Sequence, residues 1–245
     1  MISVILNVYK RPHMLEQQIQ AMREQSIEIK SENIHVWYNK SDVGQYFPKD
    51  KEIKTYACNW NTKFFGRFTI PLILKTPYIA MFDDDIIPQK DWLKNCLKTI
   101  QKPETNGILG GSGVVLKQKS YLPFANKIGW NGEHHNVTKP VDLVGHAWFF
   151  RQEWAKYLWY EKPFTWDNGE DIMFSYLAQK YGNINTFVPP HPESNKEMWS
   201  SDFKSGNENG NDENASFKLN NHYKLRDEVC IYAINNGWKT VNNII

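Results

Sequence analysis

Apolar residues along this chain come in short runs divided by polar, turn-forming segments, and the alternation reads as strand, helix, strand. Ile2 to Val8 is nearly continuous in apolar residues, the pattern of a parallel strand buried on both faces. It breaks at Tyr9-Lys10-Arg11-Pro12. A helix follows over about His13 to Glu24, with Met14, Leu15, Gln18, Ile19 and Met22 on one face and Pro12 in its first turn. Ile34 to Tyr38 predicts a second strand ending at Asn39, and a short strand covers about Ile53 to Ala57. Tyr78 to Phe82 predicts a third core strand, which runs into Asp83-Asp84-Asp85. Trp92 to Ile100 reads as a helix stopped by Pro103. The later half predicts a Gly-interrupted strand pair over Gly107 to Leu116 and a strand over Val141 to Phe150. Helices over about Gln152 to Trp159 and Glu170 to Tyr181 follow, then a last strand over Asn183 to Pro189. From Ser200 to Ser216 the residues are mostly Ser, Asn, Gly, Asp and Glu, which bury no core, so this stretch is expected to be a mobile lid before a closing helix over Phe217 to Asn235. The fold class expected is α/β: one large domain with a mixed, mainly parallel sheet flanked by helices.

Size and composition narrow the function. The chain has 245 residues, and Lys+Arg 29 against Asp+Glu 27 leaves a net charge of +2. That balance argues against nucleic acid as a partner held by blanket phosphate neutralisation. A hydrophobic content of 41% with a mean hydropathy of −0.61 supplies a core but no membrane protein. No stretch approaches the ~20 apolar residues of a span. Cys58, Cys96 and Cys230 are odd in number and far apart, so neither a disulfide framework nor a structural zinc site is expected; a reducing, cytoplasmic setting is.

The chemistry starts at Asp83-Asp84-Asp85. Three adjacent carboxylates after a buried strand repel one another and lose hydration, so something must offset the cost. A hard divalent cation, Mn²⁺ or Mg²⁺, held by one or two of them plus ligand phosphates would do so. In open α/β sheets the ligand crevice lies beyond the carboxyl ends of the strands, where the triplet sits. A solvated, helix-capping turn is the bland alternative. Tyr9 and Arg11 end the first strand, Asn39 ends the second, and Asn61 and Arg67 precede the acidic strand. Together they supply an aromatic face, amides and guanidinium groups, which is what a base, a ribose and a diphosphate require.

The run Val4 to Pro12 resembles the opening of nucleotide-sugar-dependent glycosyltransferases of the GT-A (Rossmann-like) fold. Val36-Trp37-Tyr38-Asn39, Arg67, the acidic triplet, Val144-Gly145-His146-Ala147-Trp148-Phe149-Phe150 and Gly169-Glu170-Asp171-Ile172 resemble the exostosin-type branch, family 64, with a broader likeness to family 2. The resemblance covers most of the chain from residue 2 to about 190. It implies a nucleotide-sugar-binding half over 1–105 and an acceptor-binding half over 106–245. It implies Asp83 and Asp84 on the nucleoside, Asp85 on the metal with the diphosphate, Tyr9, Arg11 and Asn39 around the base, and Asn61 and Arg67 at ribose and phosphates. Asp171 would stand beside the reacting sugar and Glu170 would orient hydroxyls. Asp83 is the second metal-ligand candidate and His191, after the last strand, the third. The chain departs from the family at the basic residue near the C-terminal helix, which has no clear counterpart here: Lys218, His222, Lys224 and Arg226 all compete for the place.

The function expected is transfer of a sugar from a nucleoside-diphosphate sugar, UDP favoured over GDP, to a hydroxyl of a glycan acceptor, with retention of configuration. An inverting, family 2-like transferase, a non-catalytic carbohydrate-binding protein and a nucleotidyltransferase are the rivals. With Trp at 10 and aromatics at 14%, rings facing sugar are also expected. Trp130 and Trp166, beside Gly and Asn, are the candidates on the acceptor side, together with His146.

Overall fold

A computed structural model describes residues 1–44, 46–201 and 203–244, and the side chains of all of these except 203–206. The strands are β1 (Ile2–Val8), β2 (Ile34–Tyr38), β3 (Lys54–Ala57), β4 (Tyr78–Phe82), β5 (Ile108–Leu116), β6 (Phe124–Gly129), β7 (Lys139–Val141), β8 (Leu143–Arg151) and β9 (Thr186–Val188). The helices are α1 (Leu15–Arg23), α2 (Trp92–Ile100), α3 (Glu170–Gly182), α4 (Phe203–Gly210) and α5 (His222–Asn235). One mixed sheet carries the strands in the order β3-β2-β1-β4-β8-β5-β9-β7, with β6 paired to β5. The four strands of the first half are mutually parallel, and β8 enters antiparallel beside β4. Their burial follows from the apolar runs: Val4, Ile5, Leu6, Ile79, Ala80, Met81 and Phe82 are all fully buried.

β1, β2, β4 and α2 stand where the hydrophobic pattern puts them, and several later elements differ. Residues 108–116 form one long strand rather than a pair, because the glycines do not break it but thin it. A Cβ on Gly110 would meet Val144 Cβ at 2.2 Å, and one on Gly113 would meet Val188 at 2.5 Å, so the glycines admit the facing side chains of β8 and β9. Gln152–Trp159 is 3₁₀ rather than α. β6 carries no strong apolar alternation and its partner is β5. The polar stretch 200–216 contains α4, and α5 starts at His222, five residues later than the periodicity suggests. Residue 202 and the side chain of Lys204, both within the expected lid, lie outside the described residues. Among the described residues no helix is long and apolar enough to cross a membrane.

α3 positions half of the site. It starts from Gly169 in the left-handed region (φ 83°) and ends at Asn183 (φ 53°), also left-handed. Every residue from Glu170 to Ala178 is buried, because α3 lies between β8, the 3₁₀ segment and α5. Its two leading carboxylates are therefore taken out of water and must find partners in the protein.

Candidate active site

The carboxyl ends of β1, β2 and β4 come together at one rim. Val8 pairs with Tyr38, Leu6 pairs with Phe82, and the Asn39 N–H donates to Val8 O at 2.9 Å. β8 runs the other way and brings its early residues to the same place. The Asp83 N–H donates to His146 O at 3.0 Å.

Three arginines hold the carboxylates. Arg11 Nη1 donates to Asp84 Oδ1 at 2.7 Å and lies 3.5 Å from Asp85 Oδ2. Arg67 donates to Asp83 through Nη1 and reaches Glu170 Oε1 through Nη2 at 3.4 Å, with its guanidinium 4.7 Å over the Trp148 ring. Arg226 forks onto Asp171, at 3.0 Å to Oδ1 and 2.7 Å to Oδ2, and lies 4.3 Å over the Tyr121 ring. Burial, reinforced by Asp83 and Asp84, pushes Asp85 up to about 7. Burial and then Asp171 push Glu170 up to about 8, against the fields of Arg67 and Arg226. A neutral Glu170 lies next to a carboxylate fixed by a guanidinium, the separation of roles that acid–base pairs need.

Asp83, Asp85 and His146 form a cluster of possible metal ligands, one atom from each lying within 4.8 Å of the others. The sequence pattern reads His146 as an acceptor contact. A bulge re-aims it: between the pairs Gly110–Trp148 and Ser112–Gly145, β8 carries one residue more than β5. His146 sits there with φ 68°, in the left-handed region that Cβ-bearing residues avoid. Its Nδ1 is buried without a hydrogen-bond partner, as is Asp85 Oδ1. Burial lowers the imidazole to about 4, so it is neutral and its lone pair is free to coordinate. A divalent ion would give both orphaned atoms a partner, so the residues present fit one. His191 does not join them. It stacks on His134 and Trp199, with its Nδ1 3.1 Å from that of His134.

Tyr9, Asn39 and Asn61 are brought together as a hydrogen-bonded set. Asn61 Nδ2 donates to Tyr9 Oη at 3.0 Å, Asn39 Nδ2 donates to Asn61 Oδ1 at 2.9 Å, and Asn39 Oδ1 accepts from the Thr62 N–H at 2.8 Å. Asn39 is buried and spends its amide on fixing the others, so within the set Tyr9 and Asn61 lie nearer the solvent. Trp130 is buried, its ring centroid 4.4 Å from that of His146, and borders the metal cluster. Trp166 is exposed and leans edge-on against Phe65 at 5.2 Å.

Two residues not singled out by motif complete the rim. Of the basic candidates near the last helix, Arg226 reaches Asp171, and its spacing from Cys230 and Ala233 on the buried stripe of α5 was the signal that distinguishes it from Lys224. Asp212 forks onto Arg11. No spacing marks it in a polar stretch. Gly145 leaves space in front of Asp171: a Cβ there would meet only Asp171 Oδ2, at 3.8 Å.

No family model matches the chain, and no curated protein matches it. Solved structures do. A structure of residues 1–349 of S. aureus TarS superposes with a TM-score of 0.51 at 15% identity, covering 77% of this chain and 60% of that one. A longer TarS structure gives 0.51 at 16%, covering 77% and 36%. The mannosyltransferase PcManGT from Pyrobaculum calidifontis, in complex with GDP-Man and Mn²⁺, gives 0.47 at 16%, covering 77% and 54%. The chain thus spans less than two thirds of the length of these proteins. At such identities the likeness is one of fold, and the fold is the GT-A arrangement: a single α/β domain with a mixed sheet flanked by helices.

Proposed function

We propose that the protein is a metal-dependent glycosyltransferase that moves a sugar from a nucleoside-diphosphate sugar, UDP in preference to GDP, to a glycan hydroxyl. The observation that carries this reading is the cluster Asp83–Asp85–His146 at the end of β4, with an orphaned carboxylate oxygen and an orphaned imidazole nitrogen facing the same rim as two buried guanidinium groups. Asp83, Asp85 and His146 would hold the ion, and the nitrogen in this donor set favours Mn²⁺ over Mg²⁺. Bound there, the ion would supply positive charge to the departing diphosphate.

The chain's own residues account for the rest. Tyr9, Arg11, Asn39 and Asn61 would take the nucleoside, and Asp84 the ribose. Arg67 would add fixed positive charge near the phosphates. Residues 1–105 would thus supply most of the donor site, with His146 joining them at the ion, and the rest of 106–245 would serve chiefly the acceptor. Glu170, raised to about 8, would hold a proton at neutral pH and orient an acceptor hydroxyl through it. Asp171 has both oxygens engaged by Arg226, which suits it to stand as a fixed charge beside an oxocarbenium-like sugar. That favours retention, as in the exostosin-type branch. An inverting course would require Asp171 to leave the fork and take a proton; the anomer of the product, read by NMR, separates the two. Trp130 and Trp166 would border the acceptor.

The test is a panel of nucleotide sugars assayed for nucleoside diphosphate release with Mn²⁺ and with EDTA. Release with Mn²⁺ and none with EDTA is expected; no release and no donor binding across the panel would sink the reading. A carbohydrate-binding protein without turnover would be indifferent to Asp171→Asn, whereas the transferase should lose at least about a hundredfold in kcat. Asp85→Ala should abolish metal-dependent donor binding and leave the fold intact.

A further inference from the structure

The segment after α4 carries a carboxylate into the rim. Gly210 comes so near the acidic triplet that a Cβ there would lie 2.8 Å from Asp85 Oδ2. Two residues on, Asp212 accepts from Arg11 Nε at 3.0 Å and from Nη2 at 2.6 Å, the side-on fork that a guanidinium offers a carboxylate. The segment shapes Asp212 for this: the Asn214 N–H donates to its Oδ1 at 2.9 Å and Asn214 Nδ2 to its Oδ2 at 3.3 Å. A second tie holds the loop, Lys218 Nζ donating to Asn211 O at 2.6 Å.

The electrostatics of this contact run against intuition. Asp212 is a fourth carboxylate brought to three that already repel one another, and Arg11 is the cation that forks onto it. Arg11 is buried with the segment in place, so release of the carboxylate opens its Nε and Nη2 donors to whatever enters the rim. The Asp212 side chain is 34% exposed, so it can return to solvent at little cost. A partly exposed carboxylate that covers two donors of a guanidinium at the rim is a replaceable occupant.

We propose that Asp212 is an internal competitor for the donor: it occupies on Arg11 the two N–H donors that the nucleotide requires, so that 207–214 must release before a nucleoside diphosphate can seat. The incoming group must itself offer two acceptor oxygens or an anionic edge, and the released segment is then free to settle over the bound ligand. This rests on the reading of the rim as a nucleotide site.

Two measurements on Asp212→Ala test it, with Asp212→Asn as the variant that keeps shape and loses charge. Hydrogen exchange of the ligand-free protein should speed up about tenfold at the amides of 207–214 in Asp212→Ala, and less in Asp212→Asn. Titration with UDP, and separately GDP, in Mn²⁺ should give binding about tenfold tighter in Asp212→Ala than in the unaltered protein. Unchanged exchange overturns the latch. Faster exchange with weaker UDP binding overturns the competition, since Asp212 then serves the bound state, while the nucleotide reading stands. If neither nucleoside diphosphate binds to either protein, the nucleotide reading itself falls.

Discussion

At His146 the chain accepts two local costs together. A φ of 68° costs a Cβ-bearing residue about 1–2 kcal/mol, and a buried ring nitrogen without a partner adds to it. Both are explained if the imidazole is aimed at an ion beside Asp83 and Asp85. Replacing it by Ala and by Gly separates the terms. Both variants lose the ring, and both should weaken Mn²⁺ binding by at least about tenfold. Only Gly relieves the torsion, so His146→Gly should be more stable than His146→Ala by about 1 kcal/mol in urea unfolding with EDTA. Equal stabilities would mean that no strain is stored there. The neighbouring Gly145 tests the space in front of Asp171. An added methyl meets nothing but that carboxylate oxygen at 3.8 Å, so Gly145→Ala should leave stability unchanged and lower kcat/KM about tenfold. His146 was visible in the sequence as a chemically useful side chain, but its role was not. A bulge of one residue decides which way it points, and β-alternation by itself cannot show a bulge.

At the scale of elements, legibility followed burial on both faces. β1, β2 and β4 are nearly continuous apolar runs, because parallel strands in the middle of a sheet meet packing above and below, and α2 carries an apolar stripe. The pattern failed where tertiary contacts override it. β5 looks broken by glycines that in fact admit Val144, Val141 and Val188. Gly110→Ala should therefore cost about 2 kcal/mol or more, since Val144 Cβ at 2.2 Å belongs to a stiff side chain on a paired strand; a small loss would show that β8 can retreat. The acidic triplet and the Glu170-Asp171 pair were legible because carboxylates at the end of an apolar strand or in a buried first turn demand partners. The partners were only half legible. Arg67 was read from the motif, but Arg226 depends on α5 packing against α3, with Asn168 Oδ1 also accepting from its Nη1 at 3.3 Å. Arg226→Lys keeps the charge and loses the fork. It should lower kcat by about ten- to a hundredfold, with donor binding by calorimetry unchanged; loss of donor binding alone would place Arg226 on the nucleotide instead.

For the whole molecule, a net charge of +2 conceals how many ionisable groups are buried, and those groups set how stability responds to acid. Four histidines are held neutral, chiefly by burial: His35, His146 and His222 at about 4, and His191 at about 3, against an ordinary value near 6.5. As pH falls from 6.5 toward 4 the unfolded chain takes up these protons first, so each histidine makes folding less favourable by up to about 1.4 kcal/mol per pH unit. Asp85 at about 7 and Glu170 at about 8 act in the opposite sense: the native protein takes their protons first, and their contribution is lost as pH rises through those values. Burial also lowers His135, and it raises Asp84 and Asp142, so five histidines stand against four carboxylates, and in EDTA stability should decline as pH drops from 6.5 to 4. His35 isolates the effect. It lies on β2 away from the rim, 3.2 Å from Tyr56 Oη, and is kept neutral by burial and by Lys54. His35→Gln should make the decline shallower by one proton, about 1.4 kcal/mol per pH unit, in urea titrations between pH 4.5 and 6. The absolute stability of the variant does not bear on the test, because the lost hydrogen bond shifts the curve and leaves its slope alone. A slope unchanged by His35→Gln would mean that His35 is protonated in the folded protein and that the acid sensitivity comes from elsewhere.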